Sequence, residues 1–262
     1  MESTSSQTAP PPSASARPRK RRYPVEVRRV ERLTPRMICV TFGGGELASF
    51  AWSGPASHIK LVFDAHGSPA PVMRTYTPRR FDLEACEIDV EFAIHGNGPA
   101  SAWAEQAAAG QTLALAGPGR SYAVDPDADW YVLAGDDTAI PAIGTILESL
   151  PVSTRALVYL EVADAAEERA FAARAANTEV HWLRRGDDPR TAGRALEAAL
   201  RGSALPAGAG RVYVACESDA MRRIRRHLLT ERQFPHDRLV TRGYWRLGET
   251  DHPDRDYGED IG

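Results

Sequence analysis

Apolar and polar residues alternate along several segments in the first half of the chain, and a period of two predicts β-strands with one buried face. Apolar residues take every second position from Glu87 to Ile94 and again from His58 to Phe63, and residues 37–42 are a further strand candidate. Turn-forming Gly, Ser and Pro residues separate these segments. Short strands between turn signals favour an antiparallel β-barrel over residues 23–122.

One segment within this region predicts a helix instead. Residues from Ala100 to Ala109 are strong helix formers, with Pro99 near the start and Gly110 just past the end. Trp103 and Ala107 would share a face of this helix, and we expect them to pack on the barrel.

After residue 125 the pattern changes to buried strands that alternate with helices. Strands are predicted at 130–134, 156–162, 179–183, 211–216 and 239–244, and helices at 139–150, 167–174, 191–200 and 219–230. This alternation indicates parallel βαβ units with helices on both faces. The predicted fold is therefore α+β with two domains, an N-terminal antiparallel β-barrel followed by an α/β domain with a parallel sheet.

Composition sets the outer segments apart from these two domains. We expect a disordered basic tail at 1–22, the barrel domain at 23–124, the α/β domain at 125–248 and an acidic C-terminal tail at 249–262. The basic run from Arg17 to Arg22 is interpreted as a solvated charge run, with contact to nucleic acid or acidic lipid as the alternative. It is not followed by the apolar region of a secretory signal.

Charge and cysteine content exclude several classes of function. The 262 residues carry a formal net charge of -3, so no overall positive field favours nucleic acid or an anionic membrane. No apolar run is long enough to span a bilayer. The three cysteines, Cys39, Cys86 and Cys216, form neither a disulfide framework nor a zinc or iron–sulfur pattern. They fit a reducing compartment, and we expect a cytoplasmic protein without a metal site.

Two segments carry candidate binding chemistry. In the first, residues 74–80, an extended strand presents Arg74 for a phosphate, Tyr76 for a flat ring and Thr77 for a ring carbonyl or nitrogen. The alternative is a plain barrel strand with one exposed face. The second, His95-Gly96-Asn97-Gly98-Pro99-Ala100-Ser101, leads from glycines into a helix start, where free N–H groups favour a phosphate.

These segments resemble known motifs. Arg74-x-Tyr76-Thr77 resembles the RxY(S/T) flavin motif of the ferredoxin-reductase superfamily, and Gly98-x-x-Ser101 resembles its GxxS pyrophosphate turn. Longer matches resemble the siderophore-interacting protein family. They start at His58, Arg74, His95, Ala116, Ala134 and Gly243, where the last reads Gly243-Tyr-Trp-Arg246.

The resemblance implies an FAD-binding barrel, an NAD(P)H-binding α/β domain and reduction of ferric siderophores to release ferrous iron. It places Arg74 at the pyrophosphate, Tyr76 against the flavin and Thr77 near its N5 and O4 edge. His95 and the backbone of Gly96, Gly98, Ala100 and Ser101 would hold the phosphates and the adenosine side.

The turn Gly135-Asp136-Asp137-Thr138 follows the first strand of the α/β domain and is expected to contact the nicotinamide cofactor. Asp137 stands where the family often has Glu, so its alternative role is only to stabilise the helix start. A G-x-G-x-x-G fingerprint is absent. Arg184 and Arg185 could meet the 2′-phosphate of NADPH. The alternative is a solvated pair of arginines, and the choice between NADPH and NADH stays open with a slight preference for NADPH.

Lys60 and Arg246 are the candidates for attracting an anionic ferric siderophore without ligating its metal. The alternative is two surface cations. Trp245 would cover the flavin or cap the barrel. No catalytic residue beyond the flavin is expected, because hydride transfer to the flavin and single-electron transfer onward need no general base.

Two rival functions remain. One is a flavoreductase that uses a ferredoxin or another acceptor, and the other is a binding protein that holds FAD and siderophore without turnover. The resemblance also implies a monomer, without nucleic acid and without stable membrane association. The sequence does not select one siderophore.

Overall fold

The computed structural model describes residues 21–63, 71–95, 98–253 and 256–258. Most of the predicted N-terminal tail, residues 64–70, residues 96 and 97 and parts of the predicted acidic tail lie outside these ranges. Within them the chain forms one antiparallel sheet followed by one parallel sheet.

The first sheet is an antiparallel barrel of seven strands. They are β1 (Arg22–Thr34), β2 (Met37–Gly43), β3 (Ile59–Phe63), β4 (Val72–Tyr76), β5 (Pro78–Asp82), β6 (Glu87–Ala93) and β7 (Thr112–Ala116). Their order is β4-β3-β7-β1-β2-β6-β5. The two edge strands, β4 and β5, are separated in the chain only by Thr77, so the sheet must curl until its edges meet there. We call this meeting point the seam.

Alternation along the strands builds the barrel core. In β1, Tyr23, Val25 and Val27 are buried while the residues between them face outward. The short helix α1 (Pro99–Glu105) covers the same core and inserts Trp103 among its aromatic rings. The Trp103 ring centroid lies 5.9 Å from that of Phe42. Trp103 therefore packs on the barrel, as predicted.

The second sheet is parallel and has five strands. They are β8 (Trp130–Asp136), β9 (Arg155–Val162), β10 (Asn177–Arg184), β11 (Gly210–Glu217) and β12 (Leu239–Trp245). Their order is β10-β9-β8-β11-β12. The chain first adds strands on one side of β8 and then on the other, so the order reverses between β8 and β11. Ligands of open parallel sheets bind at the carboxyl ends near such a reversal.

Helices cover both faces of the parallel sheet, which explains why its three central strands, β8, β9 and β11, are largely apolar. They are α2 (Ile140–Ser149), α3 (Arg194–Gly202) and α4 (Ser218–Arg226), the last followed by a π-helical turn over His227–Glu231. α2 also packs against β5 of the barrel, while α3 and α4 pack on each other on the opposite face. This arrangement confirms the predicted α+β fold class.

The helix predicted at 100–109 is too long, because α1 ends at Glu105. Tertiary pairing overrides the helix preference of the following alanines. The amide of Gly110 donates to the carbonyl of Val27, and the amide of Val27 donates to the carbonyl of Gln111. These bonds turn the chain toward β7 before a third helical turn can form.

The helix predicted at 167–174 is wrong, since only a 3₁₀ turn at Ala165–Glu167 forms there. Contacts with the barrel hold this segment extended. The buried carboxylate of Glu167 accepts hydrogen bonds from the Thr34 hydroxyl and the Arg36 amide. Arg169 pairs with Glu91 of β6. A local preference for helix is worth only a few tenths of a kcal/mol per residue, so these contacts prevail.

The described part of the C-terminal segment also makes specific contacts. Asp256 is buried and accepts from the Ser218 hydroxyl, while Arg222 pairs with its other oxygen at 2.9 Å. The Thr241 hydroxyl donates to the carbonyl of Tyr257 at 2.6 Å. Residues 256–258 thus lie against β12 and the start of α4.

Candidate functional site

The segment that carries the predicted flavin motif lies at the seam. Arg74 and Tyr76 are half-buried on one face of β4, and the alternate residues Met73 and Thr75 are exposed on the other. The structure divides this segment at Thr77, because β4 pairs with β3 whereas β5 pairs with β6. It was predicted as one strand, and it is two edge strands of one barrel.

The Tyr76 ring is fixed in place by the barrel core. Its centroid lies 4.5 Å from that of Phe92. Burial raises the pKa of Tyr76 well above its ordinary value, so the side chain is a neutral aromatic surface at physiological pH. Such a surface beside Arg74 suits a ligand that combines a flat ring system with phosphate.

The end of β12 closes the seam from the other sheet. The Thr77 side chain hydrogen-bonds to Tyr244, whose hydroxyl lies 2.9 Å from that of Tyr213. The neighbouring Trp245 stacks on His95, with ring centroids 5.3 Å apart. Two predicted barrel residues, Thr77 and His95, therefore meet consecutive residues of the parallel sheet.

The start of α1 supplies backbone rather than side-chain groups. A Cβ atom at Gly98 would meet nothing within 4 Å, so this position borders open space. Ala100 and Ser101 are buried, and the Ser101 hydroxyl lies 3.5 Å from the Ala93 carbonyl of β6. The hydroxyl of Ser101 therefore faces the barrel, and the backbone at Gly98 is what a ligand can approach. Gly96 lies outside the described residues.

At the carboxyl edge of the parallel sheet, Gly135 is required by a close approach of the backbone. A Cβ there would lie 2.5 Å from the Cβ of Ala139 and 2.7 Å from the carbonyl oxygen of Ala215. Gly135 thus lets the end of β8, the following turn and β11 meet tightly.

Asp136 is almost completely buried and ties three strand ends together. Its Oδ1 accepts from the amide and the hydroxyl of Thr138 at 3.0 and 2.5 Å. Its Oδ2 accepts from the amide of Glu217 at 2.9 Å and from Nε1 of Trp245 at 2.8 Å. Burial, with the charge of Asp137, raises the pKa of Asp136 to about 7. Thr138 and Asp136 therefore contact the protein itself through their side chains.

Asp137 and Arg185 form a buried ion pair at 2.7 Å, with each side chain 10% exposed. Arg184 is exposed and pairs with Glu168 at 2.7 Å. Arg184 and Arg185, the two candidates for binding the 2′-phosphate of NADPH, are thus both paired with carboxylates. Asp137 Oδ1 is buried and has no hydrogen-bond partner among the described residues.

The two cations predicted for the substrate lie in different surroundings. Lys60 is half-buried on β3, between Thr75 of β4 and Ala116 of β7. Arg246 follows Trp245 and is 43% exposed, with Asp219 at 3.2 Å and Glu249 at 3.4 Å.

Arg74 also contacts the C-terminal segment. Its Nη2 donates to the carbonyl of Thr250 at 2.7 Å, and its Nη1 lies 3.2 Å from a carboxylate oxygen of Asp251. The Arg74 side chain remains 23% exposed. Sequence patterns did not indicate this contact, because nothing in the spacing relates residues so far apart.

A cavity of about 590 Å³ opens between α3 and α4 at the carboxyl edge of the parallel sheet. Arginines contribute much of its lining, among them Arg190, Arg194 and Arg223, and Glu217 borders it near Trp245. These arginines were not predicted as site residues from the sequence. They fall in loops and on helices whose packing the chain pattern does not reveal.

The structure also bears on metals and membranes. Among the residues it describes, no three His, Cys, Asp or Glu side chains are grouped so that they could hold a metal ion. None of the helices in the same ranges combines the length and the apolar character needed to span a membrane.

The groups at the seam fit a flavin dinucleotide by their chemistry. Arg74 and the backbone at Gly98 can hold phosphate, the Tyr76 ring can lie against a flat ring, and Thr77 carries a hydroxyl group. All of them lie on or beside the seam and the α1 start, and His95 and Trp245 border the same region.

Comparisons with known proteins agree with this fit. Residues 26–122 match the model of the siderophore-interacting FAD-binding domain, in two overlapping parts, and residues 128–248 match that of the siderophore-interacting protein. A siderophore utilization protein from T. fusca has a crystal structure with a TM-score of 0.82 and 36% identity, covering 89% of this chain and 96% of that one.

Two curated relatives carry enzyme names. The ferric vibriobactin reductase of Vibrio cholerae is 32% identical over 82% of this chain and 86% of its own length. The NADPH-dependent ferric-chelate reductase of Escherichia coli is 28% identical over 86% of this chain and 97% of its own length. On these matches, the chain belongs to the siderophore-interacting protein family and carries that family's FAD-binding domain.

Proposed function

We propose that this protein is an FAD-dependent reductase that uses NAD(P)H to reduce siderophore-bound Fe(III) to Fe(II), which releases the iron. The observation that carries the proposal is the convergence at the seam. Thr77 and His95 of the barrel meet Tyr244 and Trp245 at the carboxyl end of β12. A flavin held by the barrel there would lie beside the edge at which parallel sheets bind nucleotides.

The barrel residues would bind and orient the cofactor. Arg74 would pair with the pyrophosphate, assisted by backbone N–H groups from Gly98 to Ser101. Tyr76 would lie against the flavin, and the Thr77 hydroxyl would bond its N5 and O4 edge. Bound FAD supplies the chemistry of accepting two electrons from a nicotinamide and passing them on one at a time. The protein supplies placement and electrostatics, and no side chain needs to act as a general base.

The nicotinamide cofactor would bind at the carboxyl edge of the parallel sheet. The turn from Gly135 to Thr138 lies there and would contact it through its backbone. The cavity between α3 and α4 has the volume of an ordinary small-molecule site. Arg190 and Arg194 line it, and cations at this position favour NADPH, because its 2′-phosphate adds charge that NADH lacks.

Lys60 and Arg246 would attract the ferric siderophore. Iron-loaded siderophores are commonly anionic, and a cation gives attraction without displacing the metal's own ligands. Arg246 already pairs with Asp219 and Glu249 on a half-exposed surface, where such pairs are weak and a polyanionic ligand can compete.

The cellular setting follows from the same chemistry. We place the protein in the cytoplasm, because its three cysteines are free and its reductant is an intracellular cofactor. The family resemblance favours a monomer. A separate ferredoxin is the alternative electron donor.

The test is an anaerobic visible spectrum of the purified full chain with FAD, recorded before and after NADPH and then after a ferric siderophore. The proposal predicts a flavin spectrum that bleaches with NADPH and recovers as ferrous iron appears. A flavin that bleaches without recovering would assign the protein to another acceptor. If the bound flavin does not bleach with NADPH, the remaining explanations are that a ferredoxin is the electron donor or that the protein binds FAD without turnover. If the protein does not bind FAD, the flavin site is refuted.

The substrate residues have a separate test. Lys60→Ala and Arg246→Ala should lower the rate with ferric siderophores while reduction of a small ferric chelate survives. Equal loss with both substrates would show that these residues serve the flavin or the fold rather than the siderophore.

A further inference from the structure

Asp136 stands at the point where the two sheets meet, yet its side chain is not available to a ligand. A carboxylate offers four lone pairs in its plane. Here all four have donors within the protein, two from Thr138, one from the Glu217 amide and one from the Trp245 indole. With 1% of Asp136 exposed, any effect of this side chain on the placement of a bound cofactor must pass through one of these partners.

Trp245 is the partner that reaches the seam. It is half-buried and is the last residue of β12. The indole has a single N–H to donate, and Asp136 receives it at 2.8 Å. The opposite contact of the ring is the stack on His95 at 5.3 Å. One hydrogen bond therefore fixes the orientation of the indole against the barrel.

We propose that Asp136 is a positioning residue, whose carboxylate holds the Trp245 indole against His95 and thereby keeps the two sides of the flavin site aligned. This inference rests on the proposed function, because it takes the surroundings of Trp245 as the place where the flavin binds. The carboxylate of Asp136 itself would touch neither cofactor nor substrate, because its oxygens are engaged within the protein.

The rigid surroundings of Asp136 suit this task. Its backbone is held between β9 and β11, in register with Glu161 on the β9 side. The charged and titratable groups that face it are its neighbour Asp137, Arg185 from the end of β10, Cys216 and Glu217 of β11, and Tyr244 of β12. Because burial raises the pKa of Asp136, protonation of this carboxyl would withdraw one of its four acceptor sites near neutral pH.

The experiment compares four variants of the full chain with the native protein: Asp136→Asn, Trp245→Phe, the double variant and Glu161→Gln. Glu161 is the matched control, because it is a buried carboxylate at the same sheet edge that accepts from the amides of Gly193 and Leu196 and does not contact Trp245. Two readouts are taken, the Kd for FAD from titration of the FAD-free protein and the tryptophan emission of that protein.

We expect Asp136→Asn to raise the Kd for FAD about tenfold, the effect of losing one hydrogen bond to a charged group. Trp245→Phe should raise it by a similar factor, and the double variant should be no worse than either, because both changes break the same bond. Glu161→Gln should stay within about twofold. Additive effects, or an unchanged Kd in Asp136→Asn, would overturn the proposal.

The emission of the FAD-free protein keeps this inference separate from the proposed function. The difference between native and Trp245→Phe emission reports on the indole, and Asp136→Asn should change it. In the native protein the Trp245 emission should change with pH near neutrality. Titration of the stacked His95 imidazole could also change it, so the same pH titration of a His95→Gln variant shows how much of the change comes from the imidazole. If the native protein does not bind FAD, the proposed function fails. The proposed positioning role of Asp136 is refuted if the Trp245 emission is unchanged in Asp136→Asn and is also independent of pH in the His95→Gln variant.

Discussion

The contact between the two sheets depends on a buried carboxylate, Glu91, and replacing it with glutamine should measurably loosen the molecule. Glu91 is 6% exposed on β6 of the barrel. One oxygen lies 3.7 Å from Nε of Arg79, and the other pairs with Arg169 in the connection between β9 and β10. Arg79 also pairs with Glu148 of α2, at 2.5 Å. The network therefore joins β5 and β6 of the barrel to α2 and to the connection between β9 and β10.

The expected loss in the free energy of unfolding depends on whether the two arginines keep other partners in the variant. Breaking a buried ion pair costs about 3–5 kcal/mol when the remaining charge has no other partner. In Glu91→Gln, Arg79 keeps Glu148, and the Arg169 side chain is 20% exposed and can reach water. We therefore expect a loss of about 2 kcal/mol, which lowers Tm by about 6 °C in a chain of this size.

The assay is thermal unfolding of the native protein and two variants. Glu179→Gln is the control, because its pair with Arg155 at 2.9 Å is about half-exposed and should contribute less than about 1 kcal/mol. High salt should reduce the small effect of the control more than that of Glu91→Gln, since buried pairs are screened less. A Tm for Glu91→Gln equal to that of the control would refute the view that this network holds the sheets together.

Three further predictions concern the site. Gly135→Ala should lose more than about 2 kcal/mol in urea unfolding, because its Cβ would lie 2.7 Å from the backbone carbonyl of Ala215, and an unchanged midpoint would contradict the close approach. Asp251→Asn should lower the Kd for FAD about twofold in a fluorescence titration, since Asp251 pairs with Arg74 in competition with phosphate. Asp136 has a pKa of about 7 when folded and about 3.9 when unfolded, so its contribution to stability should fall as the pH rises from about 4 through 7. Urea unfolding at pH 5 and pH 8 should show this change in the native protein, and Asp136→Asn should reduce it.

The sequence predicted the five strands of the parallel sheet and β2, β3 and β6 of the barrel, because these strands bury one or both faces, but it identified no segment for β1 or β7. Alternation along residues 87–94 and the apolar run at 130–134 reflect burial directly, and both strands form. The prediction failed where the partner is distant. Residues 167–174 were predicted as a helix, but Glu167 and Arg169 bond the barrel, and no helix forms there beyond the 3₁₀ turn that ends at Glu167. Local propensity contains no information about such contacts.

In the candidate site, too, contiguous motifs could be predicted from the sequence, whereas contacts between distant residues could not. The motif at Arg74, Tyr76 and Thr77 could be recognised because it is contiguous, and the structure places it along one seam. The role of Asp136 could not be read from the chain, since its partner Trp245 is 109 positions away and only the fold brings them together. A carboxylate in a turn looks equally suited to a cofactor and to an internal hydrogen-bond network.

The carboxyl edge of the parallel sheet explains why this chain lacks a glycine-rich dinucleotide fingerprint. That fingerprint works by leaving backbone N–H groups at a helix start free for a pyrophosphate. Here carboxylates from the strand ends occupy such donors. Glu161 accepts from the amides of Gly193 and Leu196 before and within α3, and Glu217 accepts from the amide of Ala220 in α4.

A helix start that is already capped by a carboxylate offers a second anion little attraction, because the N–H groups are taken and the added charge is negative. Recognition of an anionic cofactor at this edge must then rest on side-chain cations. The cavity between α3 and α4 provides Arg194, together with Arg190 and Arg223, whose partly exposed pairs with Asp188 and Glu197 a phosphate can compete for. Specificity for the phosphates of a nicotinamide cofactor would therefore be set by guanidinium groups on loops and helices, and these can change without altering the turn after β8.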